Sequence, residues 1–364
     1  MKFGLVYDSA YTHITARYLR DALPESQGIH LDLSLFKPNA EIKRMIETAG
    51  ERGATLDTIL HEIGAPGLPH GLDSVSIPTA CLDIDSFGWT PFRLQWAMLF
   101  DYVFMWHPSY VRRYREAGHP RVFVLPHSVD ARLYGERDGD KKRLYEVGFV
   151  GNQGLHQYRL RDRVVSTLAN RFQTNNFRQS YTKEETAEVY RQSKVVVNVS
   201  RAEFPSEANM RCYEAMASGA LLLTGLPSEL TEWGFREGEH FIGWRSEKEI
   251  PGLVDKFLQN AERRDAISRA GQERTLRDFT YQRCIERMIN IIKEDNRKLV
   301  APARQWPCEK VRLLYLSYYY RLQLSCAALE EFRLLRNADP KGFWKGLPMA
   351  LRSLRHVVNC GFIK

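Results

Sequence analysis

The sequence predicts an α/β protein with two doubly wound domains and a C-terminal helical tail. Three observations support this prediction. The chain has 364 residues, which fits two domains at roughly 100–200 residues each. Short, continuous apolar runs alternate with helix-like segments, and such runs are typical of parallel strands covered on both faces. A charged stretch divides these elements into two successive series.

The first domain is predicted over residues 1–140. It opens with a strand at residues 2–7, a helix at residues 14–23 and a second strand at residues 29–35. Three further apolar runs predict strands later in the domain, at residues 77–85, 102–106 and 121–125. A helix-like segment at residues 108–117 separates the last two runs, as expected for a strand–helix–strand crossover.

The second domain is predicted over residues 141–292. It follows a charged, glycine-punctuated stretch at residues 135–143 that offers no apolar side chain to bury. Three apolar runs then predict strands, at residues 145–150, 195–199 and 220–224. Helix-like segments lie between these runs, so we expect a second doubly wound parallel sheet.

Residues 293–364 are predicted to form a helical, basic tail. Residues 301–364 contain eleven Lys or Arg and four Asp or Glu, so they carry most of the net charge of +8. Near the end, apolar residues recur at helical spacing, at Leu347, Leu351, Leu354 and Val358. We expect this helix to pack back on the first domain, and contact with an anionic membrane surface is the alternative.

The cysteines and the first residues of the chain indicate the cellular compartment in which the protein is expected. The six cysteines show no Cys-x-x-Cys pair and no ligand-like spacing to histidine, so neither a disulfide framework nor a zinc site is indicated. The chain starts with a strand-like run, without the basic start of a secretory signal. No run approaches the roughly 20 apolar residues of a membrane span. We expect a cytoplasmic protein, at most peripheral at the inner face of the membrane.

The most informative segment is residues 200–224, where a polar loop follows a predicted strand and leads into a helix. Ligands of open α/β sheets bind outside the carboxyl ends of the strands, which directs Asn209, Arg211 and Glu214 toward a ligand. Arginine can bind a phosphate through two hydrogen bonds, and a carboxylate can accept from the vicinal hydroxyls of a ribose. The alternative is an ordinary capped helix with a surface ion pair.

Within this segment, residues 213–220 read Tyr-Glu-Ala-Met-Ala-Ser-Gly-Ala. This run resembles the donor-site signature of retaining GT-B glycosyltransferases of the family 4, or group 1, kind. The Asn-x-Arg-x-x-Glu-Ala spacing resembles their CgeB-like branch. Three more segments resemble the same family in the same order, residues 124–134, 147–152 and 279–284. The resemblance covers roughly residues 78–292 and implies the GT-B fold, in which two Rossmann-like domains face a cleft.

The resemblance implies a donor site in the second domain. Glu214 would bind the nucleotide ribose, with Asn209 and Arg211 near the diphosphate or the donor sugar. The turn formed by Gly151 and Asn152 would approach the phosphates with its backbone N–H groups, because glycine allows a close approach.

Arg159 is a candidate clamp for the phosphates, in competition with Arg161 and Arg163 on the same predicted helix. One position departs from the family pattern. Better-known retaining members carry a second glutamate eight residues before the one that matches Glu214, and Ser206 occupies that position here. The stereochemical outcome, retaining or inverting, therefore stays open.

The catalytic candidates are Asp85 and His127. Asp85 falls where a predicted strand meets its loop, so its carboxylate is a candidate general base toward an acceptor hydroxyl, or a cap of that loop. His127 lies in the segment that ends the first domain, as a candidate catalyst or a hydrogen-bonded structural group. Asp83 and Asp85 have the spacing of a metal-binding Asp-x-Asp but lie outside the predicted donor domain, so we expect no metal.

The residues and the resemblance together predict a glycosyltransferase that needs no metal or other cofactor. It would move a sugar from a nucleotide-diphosphate donor, by preference a UDP-sugar, to a hydroxyl of a glycan or a lipid-linked acceptor. Three alternatives stay open: a phage-type transferase acting on DNA bases, a non-catalytic GT-B protein that binds sugar nucleotides, and a sugar-nucleotide epimerase. The basic tail suits a DNA acceptor as well as it suits a membrane.

Overall fold

A computed structural model describes most of the chain. The described residues are 2–7, 19, 22, 28–32, 35–37, 39–51, 55–62, 67–84, 90–135, 143–154, 158–338 and 340–359. The predicted helix at residues 14–23 falls mostly outside them. The chain divides into two compact units, the first formed by Met1–Leu125 with Ile285–Lys364 and the second by Pro126–Cys284.

The first unit contains a six-stranded parallel sheet. Its strands are β1 (Phe3–Tyr7), β2 (Gly28–Asp32), β3 (Thr58–Glu62), β4 (Thr79–Asp83), β5 (Tyr102–Met105) and β6 (Val122–Val124), in the order β2-β1-β3-β4-β5-β6. Helices α1 (Ile42–Glu51), α2 (Thr90–Ala97) and α3 (Pro108–Glu116) lie along the chain between them. Every residue of the central strands β4 and β5 is buried, as expected from their continuous apolar runs.

Strand β3 is absent from the sequence prediction. Thr58 and His61 interrupt its apolar pattern, yet both side chains are fully buried. The Thr58 hydroxyl donates to the carbonyl oxygen of Pro78 at 2.7 Å, and Nε2 of His61 lies 3.1 Å from the carbonyl oxygen of Gly67. Local hydrogen-bond partners therefore allow polar residues in a buried strand that a pattern of apolar residues does not reveal.

The second unit contains a four-stranded parallel sheet. Its strands are β7 (Tyr145–Gly148), β8 (Ser193–Val197), β9 (Leu221–Gly225) and β10 (Ile242–Trp244), in the order β10-β9-β8-β7. Its helices are α4 (Ala131–Tyr134), α5 (Arg159–Ala169), α6 (Lys183–Arg191), α7 (Met210–Ala217), α8 (Ile250–Gln259) and α9 (Ala261–Asp278). Neighbouring strand residues belong to two different core clusters, so both faces of the sheet are buried.

The direction of the chain across the second sheet reverses at β7. Val147 pairs with Val195 of β8 on one edge and forms a parallel bridge with Thr174 on the other. The chain runs from β7 through α5 to Thr174, and then through α6 to β8 on the opposite side. Such a reversal is the topological switch point at which open α/β sheets bind ligands.

The units divide before residue 140, where the sequence prediction placed the boundary. The backbone N–H of Val129 donates to Phe279 at 2.9 Å, and that of Tyr281 donates back to Val129 at 3.2 Å. Tyr134 is buried in the same core as Tyr190. These contacts hold the residues after Leu125 in the second unit, whereas residues 136–142 of the charged stretch lie outside the described part of the chain.

The C-terminal helices return to the first unit. They are α10 (Tyr281–Glu294), within which the units divide, α11 (Cys308–Arg321), α12 (Ser325–Ala338) and α13 (Pro340–Asn359). Tyr318 of α11 lies edge-on to Trp96 of α2, with ring centroids 4.6 Å apart. The Tyr315 hydroxyl accepts from the backbone N–H of Leu72 at 3.1 Å. None of the described helices is both long and apolar enough to cross a membrane.

His70 links the C-terminal helices to the start of the first unit. Its Nδ1 lies 3.1 Å from Glu41, and its Nε2 lies 3.5 Å from Glu331, which also pairs with Arg312 at 3.0 Å. Burial lowers the pKa of His70, but the hydrogen bond and the charge of Glu331 outweigh it, so the net pKa is raised above 6.5. The protonated imidazole is therefore more favoured in the folded chain than in the unfolded chain.

We expect His70→Gln to reduce the free energy of unfolding most at low pH. The stabilisation from His70 is fully present below pH 6.5 and is lost as the pH rises through its raised pKa. The reduction should be about 1.5 kcal/mol in acid and smaller in base, measured by urea denaturation.

His119 provides the matched control, because burial lowers its pKa below 6.5. Its contribution to stability is present above pH 6.5 and is lost as the pH falls. His119→Gln should therefore show the opposite pH trend. The same trend in both variants would contradict the assignment of His70.

Candidate functional site

The reversal at β7 brings two polar loops to one edge of the second sheet. Residues 149–154 follow β7, and residues 198–209 follow β8 and lead into α7. Parallel strands end at the same edge of a sheet, and ligands bind there in open α/β folds. These two loops with the first turns of α5 and α7 are called the switch-point site below.

Asn198 organises the switch-point site. It directly follows β8 and is 1% exposed. Its Oδ1 accepts from Nδ2 of Asn209 at 3.2 Å and from Nε of Arg211 at 3.3 Å. Its Nδ2 donates to the hydroxyls of Thr224 at 3.1 Å and Ser200 at 3.3 Å. One side-chain amide thus connects the ends of β8 and β9 to the start of α7.

Asn209 is the N-cap of α7. Its Oδ1 accepts from the backbone N–H of Arg211 at 3.1 Å, which satisfies one of the first N–H groups of the helix. The cap sets the residue at which the helix begins and therefore the direction of the side chains that follow. Nη1 of Arg211 lies 3.4 Å from the point that a Cβ on Gly151 would occupy. The structure therefore brings Gly151, Asn209 and Arg211 together.

Glu214 lies one turn beyond Arg211 on α7 and is only 2% exposed. Its Oε1 is 3.4 Å from Nζ of Lys183, at the first residue of α6. A capping box between Thr182 and Glu185 fixes the start of that helix. A carboxylate can accept about four hydrogen bonds, so a single ammonium leaves Glu214 able to accept from two neighbouring hydroxyls.

Arg161, and not Arg159, is the buried arginine of α5. It is 2% exposed, and its guanidinium donates to the carbonyl oxygen of Val199 from Nε at 3.1 Å and from Nη2 at 2.8 Å. Nη1 donates to the carbonyl oxygen of Asn152 at 2.8 Å. Burial, together with the positive charge of Arg211, lowers the pKa of Arg161 to about 10. Arg161 therefore joins the loops after β7 and β8.

The other two arginines of α5 lie at the surface. Arg159 is exposed at the first residue of the helix. Arg163 pairs with Glu247 at 3.1 Å on an exposed part of the second unit. The role of Arg159 as a phosphate clamp stays a prediction. Asn152, another predicted donor residue, lies in the switch-point site, where its carbonyl oxygen accepts a hydrogen bond from Arg161.

His127 lies in the second unit and is 7% exposed. Its Nε2 is 4.0 Å from Oε1 of Glu207, in the loop before α7. Its ring centroid is 6.4 Å from that of Tyr213 on α7. The structure therefore places this catalytic candidate beside the switch-point site, and its catalytic role stays a prediction.

Asp85 lies outside the described residues, so its role as a general base also stays a prediction. Asp83, at the end of β4, is fully buried and accepts hydrogen bonds from Arg93 and Tyr114. The first carboxylate of the Asp-x-Asp spacing is thus already bound by protein groups. Within the described ranges, no group of three or more His, Cys, Asp or Glu side chains is arranged to hold a metal ion.

A partly buried carboxylate, Glu229, lies beside the loop that contains Ser206. Its Oε2 accepts from the backbone N–H of Ala208 at 3.2 Å, and its own N–H donates to the carbonyl oxygen of Ser206 at 2.9 Å. Burial raises the pKa of Glu229 to about 7, and the negative charge of Glu207 also raises it. The hydrogen bond from Ala208 has the opposite effect on this pKa but is outweighed. A carboxyl group is therefore present next to the position where the family pattern has a glutamate.

The fold is similar to that of several solved structures. HepE of Anabaena, solved with UDP, is 13% identical with a TM-score of 0.53, covering 81% of this chain and 100% of its own. Sucrose-phosphate synthase of Thermosynechococcus elongatus is 10% identical with a TM-score of 0.54, covering 81% and 99%. A glycosyltransferase of Rickettsia africae is 8% identical with a TM-score of 0.54, covering 80% and 98%. At these identities the similarity shows the GT-B fold.

The sequence of the second unit is similar to a known family. Residues 142–290 match the family model described as "Glycosyl transferase-like". This part of the chain is similar to glycosyltransferases, and the chain has the GT-B fold. No curated protein matches it in sequence. The predicted fold class and the resemblance to GT-B glycosyltransferases are confirmed, and the narrower CgeB-like branch stays a prediction.

Three side chains that shape the switch-point site are absent from the predicted donor residues. Arg161 was treated only as a competitor of Arg159, Lys183 lies 31 residues before its partner Glu214, and Asn198 was not considered as part of the site. Only Asn198 carried a usable signal, since it is a polar residue directly after a buried strand. The other two depend on helix phase and on a long-range contact.

We expect Glu229→Gln to stabilise the enzyme more as the pH rises. A carboxyl group whose folded pKa is raised costs stability as the pH increases from 4.5 through about 7, because the folded chain must then bury a charge. Glutamine keeps an acceptor oxygen for Ala208 without that charge. The free energy of unfolding, from urea denaturation, should match the parent near pH 4 and exceed it near pH 8.

Glu262→Gln is the control, because this glutamate is exposed in the same unit and is not among the charges that raise the pKa of Glu229. It should leave the pH dependence of stability unchanged. A constant difference between Glu229→Gln and the parent across this pH range would show that burial of the Glu229 charge has been misjudged.

Proposed function

We propose that this glycosyltransferase binds a UDP-sugar at the switch-point site and transfers the sugar to a hydroxyl of a glycan or a lipid-linked acceptor. One observation carries the proposal. A half-buried guanidinium, Arg211, and a buried carboxylate, Glu214, lie one turn apart on the helix that follows β8. UDP and UDP-glucose in the structures of HepE support a uridine nucleotide as the donor.

In this proposal the two halves of the donor meet opposite groups. The ribose hydroxyls donate to Glu214, while the diphosphate faces Arg211 and the backbone N–H groups of the turn at Gly151. Arg211 is held in place by Asn198, so little reorganisation is needed when the phosphates bind. The close distance between Gly151 and Arg211 supports a shared ligand, because both lie within reach of one phosphate group.

The proposed transfer breaks the bond between C1 of the sugar and the oxygen of the β-phosphate, and the bonding electrons leave with UDP. A new bond forms between C1 and the acceptor oxygen, whose proton passes to a base. Asp85 and His127 are the candidate bases, and each requires a position within hydrogen-bond reach of the acceptor hydroxyl. In this proposal Glu229, beside Ser206, contacts the donor sugar in place of the family's glutamate.

We further propose that the leaving diphosphate is stabilised by Arg211 and backbone N–H groups without a metal ion. Positive charge positioned where negative charge develops in the transition state makes the largest single contribution to the rate enhancement of many enzymes. Arg161 adds a second positive charge close to Arg211. This arrangement supplies at a fixed position the charge that a metal ion supplies in metal-dependent enzymes.

We expect Glu214→Gln to weaken UDP binding at least tenfold, about 1.4 kcal/mol, because an amide accepts fewer hydrogen bonds from the ribose. Isothermal titration calorimetry of UDP, with and without EDTA, measures the effect. EDTA should leave the dissociation constant of the parent unchanged.

Glu247→Gln is the matched control, since Glu247 is a half-buried carboxylate of the same unit that pairs with Arg163 outside the switch-point site. This variant should bind UDP as the parent does. Equal affinity for UDP in the parent and both variants would count against the proposed site. Loss of UDP binding by the parent in EDTA would count against metal independence.

A further inference from the structure

The last helix, α13, packs on the first unit through small residues. Gly342, Gly346, Ala350 and Ser353 follow one another at helical spacing and are all buried. A Cβ on Gly346 would lie 2.9 Å from the side chain of Leu316 and 3.0 Å from that of Leu335. The helix therefore lies very close to α11 and α12.

Three large apolar side chains of α13 lie on the opposite face. Trp344 is 70% exposed, Leu351 is 51% exposed and Leu354 is 41% exposed. Their spacing puts them on one side of the helix, which is called the outer face below. The sequence predicted that this helix packs on the first domain, with membrane contact as the alternative. The helix does pack on the first unit, but Leu351 and Leu354 stay exposed because glycine, alanine and serine lie on the packed face.

The outer face is bordered by positive charge. Lys345, Arg352 and Arg355 are exposed on the same helix, and the sequence of α13 contains no Asp or Glu. Arg352 donates to the Tyr320 hydroxyl at 3.2 Å, which holds its side chain along the surface. An exposed apolar stripe with a basic border is typical of helices that lie in the interface of an anionic bilayer.

We infer that the outer face of α13 docks this glycosyltransferase on the surface of an anionic lipid membrane. Trp344, Leu351 and Leu354 would enter the boundary between headgroups and acyl chains, and the basic residues would meet lipid phosphates. A second copy of the chain fits this face less well. Isologous pairing through the outer face would bring Lys345, Arg352 and Arg355 of both copies together, and like charges repel.

The docking surface goes beyond the proposed function, because it involves no residue of the switch-point site. A failure of membrane binding would therefore leave the donor site untouched, and a failure of UDP binding would leave the docking surface untouched. If both hold, the enzyme works where lipid-linked acceptors are found.

The test is sedimentation of the full chain with vesicles of phosphatidylcholine alone and of phosphatidylcholine with 30% phosphatidylglycerol. We expect binding to the anionic vesicles only, decreasing as salt is raised. The triple variant Trp344→Ser, Leu351→Ser, Leu354→Ser should reduce the bound fraction at least fivefold. Leu35→Ser is the matched control, because Leu35 is 72% exposed elsewhere in the first unit, and it should bind as the parent does.

A second arm separates charge from apolar contact. Lys345→Gln, Arg352→Gln, Arg355→Gln should lower binding to the anionic vesicles and flatten its salt dependence. Circular dichroism establishes that each variant is folded. Equal sedimentation of the parent and the serine variant would overturn the inference. So would a parent dimer that the serine variant converts to a monomer without any vesicle binding, because the outer face would then be an interface between copies.

Discussion

A single buried guanidinium holds the site together. Arg161 donates to Val199 after β8 and to Asn152 after β7, so two loops that are far apart in sequence are bound to one planar group. Burying an arginine is costly unless its N–H groups are bonded, and here the loop carbonyls provide the partners. The loops of the switch-point site therefore depend on Arg161 for their relative position, even though it is not expected to touch the donor.

The same residue also influences the charge of the site. Arg161 and Arg211 are close enough that each positive charge disfavours the other, which contributes to the lowered pKa of Arg161. Two like charges held near each other attract an anion more strongly than one, and a diphosphate relieves their repulsion. The Asn198 hydrogen bonds then determine where Arg211 points. In the proposed function, structural support and donor affinity thus arise from one polar network.

Much of this arrangement was predictable from local pattern. Apolar runs such as residues 102–106 and 195–199 predicted buried parallel strands, and Asn209, Arg211 and Glu214 were predicted from their place after a strand. Strand β3 was not, because its buried polar residues are satisfied by partners outside the strand. The choice between Arg159 and Arg161 depends on where α5 begins, since two residues rotate a side chain by about 200° around a helix.

The tail shows a different limit of sequence reasoning. Leucines at helical spacing predict an apolar face, but the spacing does not reveal whether that face is turned inward. In α13 the small residues determine which face is turned inward, because only a face without large side chains can approach Leu316 and Leu335 so closely. Leu351 and Leu354 are therefore exposed, so leucines at helical spacing mark an exposed face of this helix instead of a buried one.

Hydrogen–deuterium exchange of the full chain with and without UDP shows whether the nucleotide binds at the switch-point site. Exchange should be slower at residues 149–154 and 198–211 when UDP is present. It should stay unchanged at the surface depression lined by Gly252, Lys256 and Glu262 in the same unit. Slower exchange at that depression, with the two loops unaffected, would show that the nucleotide binds elsewhere.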